Sequence, residues 1–128
     1  MNYHISKTVK GNFADIKERI TETLQDVGFG VITEINLQEK LKAKLDVDYK
    51  AYTILGACNP GFAHEAIQVE EELGVLLPCN VVIIDKEDGT IQVSAIDAAK
   101  MMSVVENPEL DKIASTVNSR LKQAIENL

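Results

Sequence analysis

The stretch Ile54–Asp85, ILGACNPGFAHEAIQVEEELGVLLPCNVVIID, decides the fold: it holds both cysteines, one of the two histidines and two of the three prolines. An apolar run ends at Cys58, and Asn59-Pro60 then opens a helical pattern. Asn59 takes the N-cap role and Pro60 the first helical position, where a missing N–H costs nothing. Cys58 therefore sits just before a helix N-terminus, whose partial positive charge and unpaired N–H groups favour a nucleophilic thiolate. At the far end, Pro78-Cys79-Asn80 leads into the apolar run Val81–Ile84, where a strand begins.

Within the helical segment, Ala63, Ala66, Ile67 and Leu73 form the expected inward stripe, which puts His64 beside the core face. His64 reads as a boundary residue or, alternatively, as a ligand. The helix is expected to close through Glu70, Glu71 and Glu72 ahead of Leu73-Gly74. Three carboxylates there oppose the macrodipole, so they read as a solvated end or as a contact for a cation or a partner's lysines. The separation of the two thiols depends on the return path. A helix of about 14 residues carries the chain back roughly 21 Å, and an extended Gly74–Pro78 recovers roughly 16 Å of that. A parallel neighbour holds the sulfurs apart, whereas full recovery brings them together. The sequence leaves both paths open.

Downstream, Asp88-Gly89 is the strongest hairpin signal in the chain, joining Val81–Lys86 to Thr90–Ile96. A two-residue loop pairs Glu87 with Thr90, Ile84 with Val93 and Val82 with Ala95. Val82, Ile84, Ile91, Val93 and Ala95 are then expected in the core. Val81, Ile83, Ile96 and Cys79 fall on the opposite face, which an open antiparallel sheet normally gives to water. An apolar end on that face predicts a dimer contact or a small-molecule hollow with Cys79 at its rim.

Upstream, Asn2–Val9 alternates as a half-buried strand, with Tyr3, Ile5 and Val9 on one face and His4 on the polar face. Asn12 caps a helix whose apolar positions are Phe13, Ile16, Ile20, Leu24 and Val27, stopped by a left-handed Gly28. Phe29–Asn36 reads as a second strand. Leu37, Leu41 and Leu45 recur every fourth residue in a short amphipathic helix bearing Lys40, Lys42 and Lys44; it reads as an anion-facing lid or as a solvated flap pinned by its leucines. Tyr49–Cys58 is the third strand. After the hairpin, Asp97 opens a short helix through Met101-Met102. The last helix, entered through Asn107-Pro108, buries Leu110, Ile113, Ala114, Val117, Leu121 and Ile125.

The chain of 128 residues suits one α+β domain over residues 1–128, 45% hydrophobic and 26% charged. The expected order is β-α-β-(short α)-β-α-β-β-α, an antiparallel-rich sheet of about five strands with helices packed on one face. A net charge of −7 argues against a dedicated binder of nucleic acid or of anionic membrane, both of which need a basic footprint. No apolar run approaches the roughly 18 residues of a membrane span. With no leader-like apolar segment at the start, cytoplasm is the expectation, and two cysteines there are expected to be reduced.

The phrases ILGACNPGFAHEAI and ELGVLLPCNVVI, with the Asp88-Gly89 turn and the last helix, resemble the bacterial and archaeal family known as domain of unknown function 302. The resemblance covers essentially the whole chain. It implies a single α+β domain similar to the TATA-binding-protein-like fold and a dimeric assembly, and it carries no activity or catalytic residues.

Three functions are compatible with these residues. The first is a homodimeric domain without catalysis that binds a small ligand or a protein partner around Cys58, Asn59, Cys79, Val81, Ile83 and Ile96. The second is a thiol enzyme or redox sensor with Cys58 as the candidate nucleophile. The third is soft-metal binding, of zinc or copper, through Cys58, Cys79 and His64. Both cysteines also fit small buried apolar residues at strand ends. There is no C-x-x-C pair, H-E-x-x-H helix or Gly-rich phosphate loop.

Overall fold

Residues 2–128 are described by a computed structural model. Strand β1 (His4–Lys10) alternates as expected and hands over at Gly11 to α1 (Phe13–Asp26). Asn12 caps that helix by accepting from the Asp15 N–H at 2.8 Å. Ile16, Ile20 and Leu24 recur on one face and are at most 1% exposed. Gly28, at φ +88°, ends the helix in the left-handed region. Then come β2 (Gly30–Asn36), α2 (Leu37–Leu45) and β3 (Tyr52–Cys58). Helix α3 (Pro60–Val69) and a 3₁₀ helix over Glu71–Leu76 lead to β4 (Cys79–Asp85) and β5 (Thr90–Ile96). Helix α4 (Ala98–Ser103) is capped by Asp97, and a 3₁₀ turn over Pro108–Leu110, capped by Asn107, feeds α5 (Asp111–Glu126).

The five strands form one sheet in the order β1-β5-β4-β3-β2, every neighbouring pair antiparallel. Strands β1 and β2, first in sequence, are therefore the two edges, and α1 crosses the sheet between them. Both α1 and α5 lie on the same face, α1 against β4 and α5 against β1 and β5. The core between sheet and helices takes Leu55, Val81, Ile83, Val93 and Ala95 from the sheet and Leu121, Ala124 and Ile125 from α5, none more than 2% exposed. Leu110, Ile113, Ala114 and Val117 are buried with them, as the spacing of the last helix predicts. No helix among the described residues is long and apolar enough to cross a membrane.

Three expectations are corrected. The first is the hairpin register. Ile83 pairs with Val93 and Val81 with Ala95, one residue away from the two-residue-loop register. The loop holds three residues, Glu87, Asp88 and Gly89, closed by the Lys86 N–H donating to the Thr90 carbonyl at 3.1 Å. Glu87 and Gly89 take the positive φ values, +60° and +88°, and the Asp88 carboxylate accepts from the Thr90 N–H at 3.0 Å. A slip of one residue sends every side chain to the other face. Val81 and Ile83 are thus fully buried beneath the helices, as is Cys79 at 4% exposure, while Val82 and Ile84 face outward beside Ile96. The outer face is apolar as predicted and keeps Ile96, with Val82 and Ile84 in place of Val81, Ile83 and Cys79.

The second is the end of α3. It stops at Val69, and Glu70 has extended φ and ψ. Glu71 and Glu72 stand in the first turn of the following 3₁₀ helix, not at an α-helix C-terminus, so the opposed macrodipole disappears. Leu73 is delivered to the core by that 3₁₀ helix, and Ile67 is 39% exposed, not part of an inward stripe. The third is α2, which buries none of its residues, with Leu45 67% exposed. Lys42 pairs with Asp46 at 2.9 Å and Asp48 at 3.1 Å, so its charge is matched within the flap itself.

Asn59 fastens two elements at once. Its Oδ1 accepts from the Phe62 N–H at 3.1 Å, capping α3, and its Nδ2 donates to the Gly28 carbonyl at 3.0 Å, tying α3 to the end of α1. Asn59→Ala removes both bonds and is expected to lower stability by about 1–2 kcal/mol in urea denaturation. Asn59→Asp keeps the cap and loses only the donor, and its loss should be smaller. Equal losses would show that the cap contributes nothing here.

Candidate functional site

Between α3, the 3₁₀ helix, α5 and the ends of β3 and β4 lies a cavity of about 300 Å³ with an almost wholly apolar wall. Its origin is the size of the side chains. Ala57 ends the buried part of β3, Ala63 and Ala66 are the α3 positions facing it, and Gly74 stands in the 3₁₀ helix. Where a leucine would fill the space, each of these leaves it empty. Phe29, Phe62, Met102 and Val117 supply the large walls. The cavity reaches solvent past Ile32 and Ile67, which are 61% and 39% exposed.

Both thiols belong to this wall. Because β3 and β4 are antiparallel neighbours, Ala57 lies opposite Cys79, and Cys58 is the next residue along. Of the two return paths, the chain takes the one that recovers the full length of α3 and brings the cysteines to the same end of the sheet. They are free thiols of unequal access: Cys58 is half-buried and Cys79 is 4% exposed. Burial, reinforced by the neighbouring Cys58, pushes the Cys79 thiol up to about 11. Cys79 is thus held as the neutral thiol at physiological pH.

The expected site residues divide three ways. Cys58, Asn59 and Cys79 come together at the cavity. Val81 and Ile83 lie deeper under the helices and do not line it, and Ile96 is on the opposite sheet face, in a shallower hollow with Tyr52, Val82 and Ile84. His64 is exposed on α3, its Nε2 hydrogen-bonded to the Gln68 side chain at 2.9 Å, and is not part of the cavity wall. The three-ligand set of Cys58, Cys79 and His64 is therefore not assembled. Among the described residues no three His, Cys, Asp or Glu side chains gather into a metal-sized group. The residues that sequence reasoning passed over are the small ones, Ala57, Ala63 and Gly74. They are scattered through Gly56–Gly74 among larger residues, with no spacing that marks them in the sequence.

The high thiol pKa has a measurable consequence. A thiol that ionises near 9 in the unfolded chain and near 11 in the folded one binds a proton in the folded state alone between those values. Its contribution is complete below pH 9 and is lost as pH rises through 11, about 3 kcal/mol in all. Urea midpoints measured from pH 8 to 11 should therefore fall, and fall less in Cys79→Ala. Identical pH slopes in the two proteins would place Cys79 in contact with water.

The family profile described as "Domain of unknown function DUF302" matches residues 5–128. An "Uncharacterized protein" of Aquifex aeolicus (strain VF5) is 24% identical over 79 residues, 59% of this chain and 55% of that protein, so the match spans little more than half of that relative. The solved structure "Crystal structure of uncharacterized conserved protein DUF302 from Bacillus stearothermophilus" is 26% identical, with a TM-score of 0.91 over 99% of this chain and 98% of that one. With the profile matched from Ile5 to the last residue and the α+β architecture shared end to end with a solved relative, this chain belongs to the DUF302 family.

Proposed function

We propose that this domain is a non-catalytic binding module for a small apolar ligand, seated in the cavity beneath α3. The observation that carries the reading is the cavity itself: about 300 Å³ with an apolar wall, beside a continuous core of buried apolar side chains. That is the lower end of the size range of small-molecule sites. Asn59 is the polar side chain on its wall, and its amide is already committed to Phe62 and Gly28. Recognition therefore rests on shape and apolar contact. The acidic net charge supports the same reading over nucleic acid, and two free thiols accord with a reducing, cytoplasmic compartment.

The neutral fluorophore N-phenyl-1-naphthylamine tests this. Its emission should rise on binding and saturate, and Ala66→Leu, which grows into the cavity, should weaken binding by at least about tenfold with the urea midpoint kept or raised. Binding unchanged in Ala66→Leu, or no binding to the parent protein, would overturn the assignment.

A second reading, favoured by a separate observation, concerns assembly. The sheet face without helices carries Ile35, Ile54, Val82, Ile84 and Ile96, with Ile35 44% exposed and the others half-buried. Five strands of seven residues cover roughly 500 Å² in plan, and the accessible area of such a corrugated face approaches the roughly 800 Å² per partner of a standard interface. We infer a homodimer packed through this face. Sedimentation equilibrium should give twice the chain mass, and Val82→Lys should give the monomer mass with an unchanged far-UV spectrum. A monomeric parent protein would remove the reading.

A further inference from the structure

We propose that Cys58 and Cys79 are a reversible dithiol–disulfide pair on the cavity wall, oxidised by an organic disulfide whose apolar group occupies the cavity. The substrate part of this inference rests on the cavity being the ligand site; the pair itself stands on the strand register. Ala57 opposes Cys79, so Cys58 is its diagonal neighbour. One strand spacing across and one residue along give a Cα separation of about 6 Å, inside the range that a disulfide spans. Residues one apart on a regular strand point to opposite faces, but Cys58 is the last residue of β3, and the chain turns at Asn59 into α3. Both residues line the same cavity. Among the described residues neither thiol is engaged in a hydrogen bond that would hold it away from the other.

The unequal access of the two thiols sets the order of events. Cys58, half-buried, attacks one sulfur of the organic disulfide as its thiolate; its Sγ–S bond forms, the substrate S–S bond breaks, and the first thiolate leaves and takes a proton from water. Cys79, at 4% exposure, is closed to a bulky reagent but not to its neighbour. It loses its proton to water and attacks Cys58 Sγ, expelling the second thiolate. The sum is two protein thiols plus one organic disulfide giving one protein disulfide plus two organic thiols, with two electrons passed to the substrate. A thiol raised by burial makes the second step the slower one at neutral pH.

The test uses 2,2′-dithiodipyridine, neutral and aromatic, against the small charged disulfide cystamine, each rate divided by that for free N-acetylcysteine. With one equivalent of the aromatic reagent, the full chain should release two thiopyridones and lose the mass of two hydrogen atoms, with Cys58 and Cys79 peptides joined. Cys79→Ser should stop at a mixed disulfide, and Cys58→Ser should react at least about tenfold more slowly. The second release should quicken as pH rises. The normalised rate should favour the aromatic reagent, and Ala66→Leu should remove that preference while leaving the cross-link intact with cystamine. A single mixed disulfide per chain with one thiopyridone released, two mixed disulfides per chain with excess reagent, or cross-links only between chains, would overturn the pair. Equal normalised rates for both reagents would overturn the apolar substrate. Uptake of N-phenyl-1-naphthylamine without any Cys58–Cys79 cross-link would refute this inference and leave the binding site standing.

Discussion

The pairing of β3 with β4 is the constraint on which the rest of this molecule depends. Thr53 opposes Ile83, Leu55 opposes Val81 and Ala57 opposes Cys79, and all six are less than 5% exposed, at the centre of the helix-covered face. Two central strands locked antiparallel oblige the chain between them to leave and return at one end of the sheet. A single helix cannot do this, because it ends far from where it began. The chain answers with α3 outward, a break at the extended Glu70, and a 3₁₀ helix and Leu77-Pro78 inward. Gly56 permits the last step, since a Cβ there would stand 2.7 Å from the Pro78 ring. The excursion arches over the sheet end and leaves space beneath it.

The remaining helices settle where burial is greatest. Helix α1 must cross from one edge strand to the other, and its Ile16, Ile20 and Leu24 are buried along the way. Burial of each such side chain contributes about 1.5–3 kcal/mol, and the matching stripe of α5 adds as many again. Lys7 shows how strongly this face is closed. It projects toward the helices among apolar neighbours, and its ammonium caps the end of α5 by donating to the carbonyls of Glu126 and Leu128 at 3.0 and 2.8 Å. Helix α2 packs chiefly against β3 and is tied down by Gln38 donating to the Tyr49 carbonyl, with Leu37 and Leu41 only half-buried and Leu45 exposed.

How far the sequence could be read follows from where its signals were one-sided. In α1 and α5 the apolar residues occupy one stripe and the charges the rest, so helical spacing identified the large buried side chains and missed only the small Ala124, while Phe13 is merely half-buried. The caps Asn12, Asn59, Asp97 and Asn107 were legible for the same reason: a short polar side chain ahead of an apolar pattern has one good use. Strand β4 defeated the method because Val81, Val82, Ile83 and Ile84 are apolar on both faces, and register is only weakly specified when either face can be buried. The turn residues then decided between two registers, and Glu87 at positive φ was not foreseeable for that residue type. The error moved Cys79, Val81 and Ile83 to the wrong face; Cys79 still lies near Cys58 and Asn59 because the β3–β4 pairing, not the hairpin, brings those strand ends together. The cavity itself had no sequence motif. It is a consequence of several small residues meeting in three dimensions, and one chain read in order does not reveal that meeting.

The small residues are also what make the cavity hard to explain by folding alone. An enclosed void of this size would cost roughly 7 kcal/mol at about 24 cal/mol per Å³, comparable with the whole stability of a domain. Its opening past Ile32 and Ile67 admits solvent and reduces that cost, but water gains little beside an apolar wall. Replacing Ala63 or Ala66 by a larger aliphatic residue would recover part of it with no change of fold. A chain tuned for stability alone would be filled at these positions. Under the proposed binding function, a cavity left open beside both cysteines exchanges stability for a site. In that reading the apolar wall would select the ligand, and the register of β3 against β4 would set it beside Cys58.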